Sequence, residues 1–153
     1  MERQEIIDKA VQYLNGHRIL TMATASKDGD PDATALEYAS DGVDVYVSCR
    51  PDSRKVSNIT ENSRVFYEVH EDIEITKENV MKLKAIQVAA TGRVIKPGDS
   101  DFDGSLAKMV KKFPVFSTLP KDSRVFLHFK PKKLWFLNYK QKFFHRDEVS
   151  FNE

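Results

Sequence analysis

Ser48-Cys49-Arg50-Pro51-Asp52-Ser53-Arg54-Lys55 sets two cations where a strand gives way to a helix. The strand is the alternating run Val43-Asp44-Val45-Tyr46-Val47-Ser48, and the helix is predicted over residues 53–62. A helix start exposes unpaired backbone N–H groups and the positive end of the macrodipole, so Arg54 and Lys55 are badly placed unless an anion joins them. Backbone donors, the Ser53 hydroxyl, a guanidinium and an ammonium at one point make a phosphate pocket. The plainer reading is that Asp52 or Ser53 caps the helix while both cations extend into solvent. The flanking sequence has to decide between the two.

Upstream, Ile6, Ile7, Ala10, Val11 and Leu14 recur at helical spacing, and Asn15-Gly16 supplies the stop. Ile19 to Ala25 and Ala33 to Tyr38 read as strands joined by the turn Lys27-Asp28-Gly29-Asp30, and Asp41-Gly42 turns the chain into the Val43 to Ser48 strand. These are three consecutive antiparallel strands. Downstream, Arg64 to His70 alternates as a fourth strand, and Ala85 to Ile95 reads as a fifth with Gly92 inside it. A glycine there marks a bulge or the close approach of another backbone, as where a sheet curls into a barrel. A second long helix is predicted over residues 99–112 and stops at Pro114. Residues 123–129 and 133–139 read as two more strands separated by Lys130-Pro131, and 71–84 as a loop with a short helical piece. About seven hairpin-spaced strands with inserted helices favour a mainly β, small antiparallel barrel over a doubly wound parallel sheet. The absence of a repeat, a low-complexity stretch or a linker predicts one domain over residues 1–153.

Composition narrows the function classes. Twenty-four Lys and Arg against 23 Asp and Glu leave a net charge of +1, so there is no bulk attraction to nucleic acid or an anionic membrane, and a basic site must be local. No apolar run has transmembrane length, and Met1-Glu2-Arg3-Gln4-Glu5 is charged rather than secretory. One cysteine, Cys49, forms no internal disulfide, which points to the cytoplasm, and it reads as a small strand residue. His17, His70, His128 and His145 have no metal spacing, so no metal site is expected. Lys130, Lys132, Lys133, Lys140 and Lys142 interleave with Phe129, Trp135, Tyr139, Phe143 and Phe144. That pattern suits single-stranded nucleic acid, but the near-zero net charge favours a solvated face.

The order of these segments resembles a known family. Ile19-Leu20-Thr21-Met22-Ala23-Thr24, Asp28-Gly29-Asp30-Pro31, Val45-Tyr46-Val47-Ser48, Ser53-Arg54-Lys55-Val56, Glu61-Asn62-Ser63-Arg64-Val65 and Gln87-Val88-Ala89-Ala90-Thr91-Gly92-Arg93-Val94 look like pyridoxamine 5′-phosphate oxidase-related proteins, which have the flavin-binding split-barrel fold. The resemblance implies FMN at a homodimer interface. It assigns Ser53, Arg54 and Lys55 to the FMN phosphate, Val47 and Ser48 to backbone and hydroxyl contacts, and Gln87 to a cofactor hydrogen bond. It assigns the strand backbone at Ala33, Thr34 and Ala35 to the isoalloxazine ring, and Trp135 to an aromatic contact from the partner.

Two departures matter. The family's arginine near the start of the second strand corresponds to Asp32. The carboxy-terminal Arg-x-His that holds the vitamin phosphate in authentic oxidases is matched by Phe143-Phe144-His145, without the arginine. The resemblance therefore implies a different, redox use of FMN on a small molecule, and it assigns no general acid or base. The alternative is a flavin- or haem-binding protein without turnover, serving storage, sensing or electron transfer, since split-barrel relatives include deazaflavin users and haem proteins.

Overall fold

The computed structural model describes residues 1–151. Along the chain run α1 (Arg3–Gly16), β1 (Ile19–Ala25), β2 (Pro31–Asp41), β3 (Asp44–Cys49), α2 (Arg54–Glu61), β4 (Arg64–His70), β5 (Lys84–Ile95), α3 (Phe102–Lys112), β6 (Val125–Asn138) and β7 (Arg146–Ser150). The sheet order is β3-β2-β1-β4-β5-β6-β7, and β6 also pairs with β3. That last pairing closes six antiparallel strands into a barrel and leaves β7 as an extra strand on β6. Closure removes the edges that would otherwise invite aggregation.

Period-two alternation explains the inside and the outside. In β4, Val65, Tyr67 and Val69 point into the barrel while Arg64, Phe66 and His70 point out. Leu20, Met22, Val47, Ile86, Leu127 and Phe129 complete much of the same interior. A second apolar cluster lies outside the wall, where α3 lays Phe102 and Met109 against Ala39, Tyr46 and Phe126.

The chain behaves differently from its local pattern in two places. Lys130-Pro131 does not interrupt a strand: β6 runs through it as one element. Ala89 pairs with Lys133 and Ala90 with Pro131, so Lys132 is the extra residue of a bulge that accommodates a proline without an N–H. Gly92 is the close approach instead. A Cβ there would lie 2.8 Å from Val65 Cγ2, and the Gly92 N–H donates to Ser63 O at 2.7 Å where the chain leaves α2. The strand β7, with Arg146-Asp147-Glu148 at its start, has too little apolar alternation to be read from sequence.

One feature of the pairing positions the site. β2 meets β3 only from Tyr38 to Asp41, whereas it pairs with β1 from Pro31 to Glu37. The first half of β2 therefore has one unpaired edge, and the barrel is split there.

Candidate functional site

At the split, α2 begins beside the unpaired edge of β2. Ser53 occupies the N-cap position with extended backbone, yet its side chain makes no cap bond. Its hydroxyl donates to Arg50 O at 2.9 Å, so the first-turn N–H groups of α2 keep their donors exposed. Arg54 reaches across the split to Asp32 at 3.3 Å while remaining 78% exposed. Lys55 forms no ion pair with a described residue and stands close enough to act on the Cys49 thiol. That thiol is pushed up by burial, which suits a packed strand residue and not a nucleophile. Arg50 turns outward to pair with Asp52 at 3.1 Å.

The outer wall leading away from this corner is apolar. Ala33, Ala23, Phe66 and Ala89 form one register row across β2, β1, β4 and β5, and all four point outward. Ala23, Phe66 and Ala89 border a shallow cleft of about 520 Å³ that also includes Ala25, Pro31, Arg64 and Lys132. The next outward row is Ala35, Thr21, Glu68, Gln87, Trp135 and Glu148. Phe66 joins the two rows by stacking on Trp135, with ring centroids 6.0 Å apart. Trp135 Nε1 donates to Glu148 Oε1 at 2.7 Å, and Arg146 lies over the indole and donates to Gln87 Oε1 at 3.3 Å.

These rows separate the expected site residues into two groups. Ala33, Thr34, Ala35, Ser48, Ser53, Arg54 and Lys55 gather around the split. Val47 is fully buried in the barrel, so only its backbone is available there. Gln87 and Trp135 share the outer face but lie three and four strands along that row from Ala35, round the curved wall of the barrel. Outward side chains so far round a closed wall face a different direction from those at the split. Arg64 and Lys132 in the cleft, and Arg124 behind Ser48, are not among the expected cofactor residues; Lys132 belongs to the basic cluster whose sequence reading is a solvated face. Lys132 becomes visible only through the bulge, and Arg124 meets Ser48 across 76 positions, so neither had a local signal.

The fold matches known proteins. The family model for pyridoxamine 5′-phosphate oxidase matches residues 6–138. The chain belongs to this pyridoxamine 5′-phosphate oxidase family. Comparison with curated proteins gives no match. Among solved structures, a haem-binding protein from Mycobacterium smegmatis superposes with TM-score 0.77 at 11% identity, over 98% of this chain and 60% of that one. This chain thus spans less than two thirds of that relative's length. A putative pyridoxamine 5′-phosphate oxidase from Listeria innocua gives TM-score 0.69 at 16% identity, covering 87% and 98% of the two chains. HutZ, the haem-storage protein of Vibrio cholerae, gives 0.64 at 18%, covering 86% and 91%. At these identities the likeness establishes the shared fold.

The family resemblance implies FMN, and the corner has the donors that a phosphate monoester needs. The α2 amides, Arg54 and Lys55 offer N–H donors with net positive charge, and the unpaired edge of β2 offers backbone groups beside an apolar wall. Asp32 opposes that charge and already holds Arg54 in place, while Asp52 at the same turn pairs with Arg50.

Proposed function

We propose that this chain binds FMN as a homodimer and uses it to transfer electrons or hydride to a small-molecule acceptor. The observation that carries this reading is the uncapped first turn of α2, with Arg54 and Lys55 beside the open edge of β2. When bound, FMN supplies the redox chemistry, and the polypeptide supplies position and electrostatics. Arg54 and Lys55 hold the phosphate, Ser48 and the Val47 backbone support it, and the Ala33 to Ala35 backbone faces the ring. The outward row of Ala23, Ala33 and Phe66 keeps water from it.

The placement of two expected residues supports a dimer. Trp135 and Gln87 are remote from the corner of their own chain, whereas a two-fold copy docked on the same apolar face brings them to the other chain's cofactor. Phe143 stands where authentic oxidases carry a phosphate-holding arginine, and it is exposed in a turn with Phe144 and Tyr139. This supports an acceptor other than a pyridoxine phosphate. The free Cys49 suits the reducing cytoplasm.

A second reading, haem binding, has its own support. His145 Nε2 donates to Asp147 Oδ1 at 3.0 Å, the carboxylate–imidazole arrangement that orients a metal-bound histidine through its other nitrogen. It follows the aromatic turn of Tyr139, Phe143 and Phe144.

Titrating the purified protein with FMN and separately with haemin, followed by visible absorption, decides between them. Saturable binding of FMN with a resolved flavin doublet is the expected result. A Soret band lost in His145→Ala, with no response to FMN, would replace the flavin reading by the haem one.

A further inference from the structure

Arg124 is a nearly buried cation with no acid beside it. Its residue is only 8% exposed, and it forms no ion pair with any described carboxylate. Its Nη1 donates to Ser48 Oγ at 3.2 Å and its Nε to Pro120 O at 3.3 Å, while the guanidinium plane lies 5.5 Å over the Phe116 ring. All of these partners are neutral. A charge moved out of water without a counter-charge is costly, and folded chains normally pair it. Two neutral acceptors leave three of the five guanidinium N–H donors without a protein partner.

Among the described residues, the Tyr67 hydroxyl is the one fully enclosed side-chain polar atom that lacks a partner. The Nη2 of Arg124 has no partner either, so it is not enclosed and opens to the surface. Ser48 and Cys49 pair with Phe126 and Val125, which seats Arg124 beside the end of β3. The Cys49 thiol in turn meets Ser53 and Lys55 at the start of α2. Consecutive strand residues point to opposite faces, so Arg124 on Ser48 and the first turn of α2 on Cys49 flank the same strand end from its two sides.

We propose that Arg124 is a third cationic element of the phosphate site, holding Ser48 Oγ with one arm and stabilising the bound phosphate with the other. This rests on the phosphate site proposed above. Ser48 is its hinge: by accepting from Arg124, the Ser48 hydroxyl is left to donate its own proton toward the ligand. Arg124 acts as a positioning residue and a source of positive potential in a poorly hydrated wall, where a charge is less screened than at the surface.

The test compares FMN with riboflavin, which has the same ring and no phosphate. The wild-type protein is expected to bind FMN at least 100-fold more tightly than riboflavin, by quenching of flavin fluorescence. Arg124→Gln should lose 10- to 100-fold in FMN affinity with riboflavin affinity unchanged, and Arg124→Lys should recover part of it. If Arg124→Gln does not fold, Ser48→Ala, which removes the hinge and little else, should lower FMN affinity several-fold on its own. Wild-type protein that binds both flavins equally would overturn the phosphate site itself. A wild type that discriminates, with Arg124→Gln and Ser48→Ala discriminating just as well, would leave that site standing and overturn the role of Arg124. An equal loss for both flavins would show Arg124 to be structural.

Discussion

The first turn of α2 and the last turn of α3 each carry two adjacent cations, and the fold treats the pairs in opposite ways. Lys111 and Lys112 stand at a helix end, where carbonyl oxygens and the negative pole welcome positive charge. Lys112 goes further: its ammonium donates to Leu14 O at 3.2 Å and to His17 O, closing the end of α1, and lies 3.9 Å above the Tyr38 ring. Arg54 and Lys55 stand at the wrong pole, with Asp32 as the one acid that meets them. The same residue types are therefore structural in one place and, in the function proposed above, held for a ligand in the other. Position along the helix, more than the number of charges, separates the two cases.

The largest difference should appear on charge reversal. Lys112→Glu removes the ammonium from the carbonyls of Leu14 and His17, leaving Leu14 O the Tyr38 hydroxyl as donor, and places a carboxylate against both, so it should lower stability by about 2–3 kcal/mol in urea unfolding. Arg54→Glu should change it by less than about 0.5 kcal/mol, as for an exposed pair. Equal losses would erase the distinction. The two ends of α2 offer a second contrast. Gly92→Ala presses a methyl group on Val65 where α2 ends, and should cost about 1–3 kcal/mol while leaving the preference for FMN over riboflavin intact. A lost preference there would mean that barrel packing and the phosphate corner are not separable.

Smaller effects sharpen the comparison. In ligand-free protein, Lys55→Glu should raise stability by about 0.3–1 kcal/mol, because an acid suits a helix start, whereas Lys111→Glu should lower it by a similar amount. Thermal melts of the two variants with opposite signs are the expected outcome. The smallest effect is in pH. Burial, with Arg18 nearby, pushes the Lys112 ammonium down to about 8, so from there to about 10.5 the unfolded chain holds a proton that the folded chain has released. Stability contributed by this group is present above that window and lost as pH falls through it. The urea midpoint should therefore rise from pH 8 toward 9. It should then level off and fall, as the Cys49 thiol and then Tyr13, Tyr38 and Tyr67, all raised by burial, stay protonated in the fold while their unfolded counterparts ionise. Lys112→Arg, whose guanidinium keeps its charge, should remove the rise.

Much of this was legible in the sequence, for reasons that differ by residue. Arg54 and Lys55 were visible because a strand, a turn and a helix start are local patterns. Gly92 was visible as a residue too small for its place, although the bulge fell at Lys132. The continuity of β6 was hidden because a proline reads as a break until a partner strand shows how its missing N–H is accommodated. Trp135 could be placed in an alternating strand, but its register row with Gln87 and Ala35 depends on pairings among five strands. Arg124 lay beyond local reading altogether, since its meaning comes from a serine 76 positions away.

The central claim is that the start of α2 is a phosphate site, and an FMN titration of the R54E/K55E double variant tests it most directly. Wild-type protein should quench flavin fluorescence saturably, and the double variant should lose at least 100-fold in affinity, about 3 kcal/mol of binding free energy, while still unfolding cooperatively in urea. Unchanged affinity in a folded double variant would contradict the account, and would return Arg54 and Lys55 to solvent.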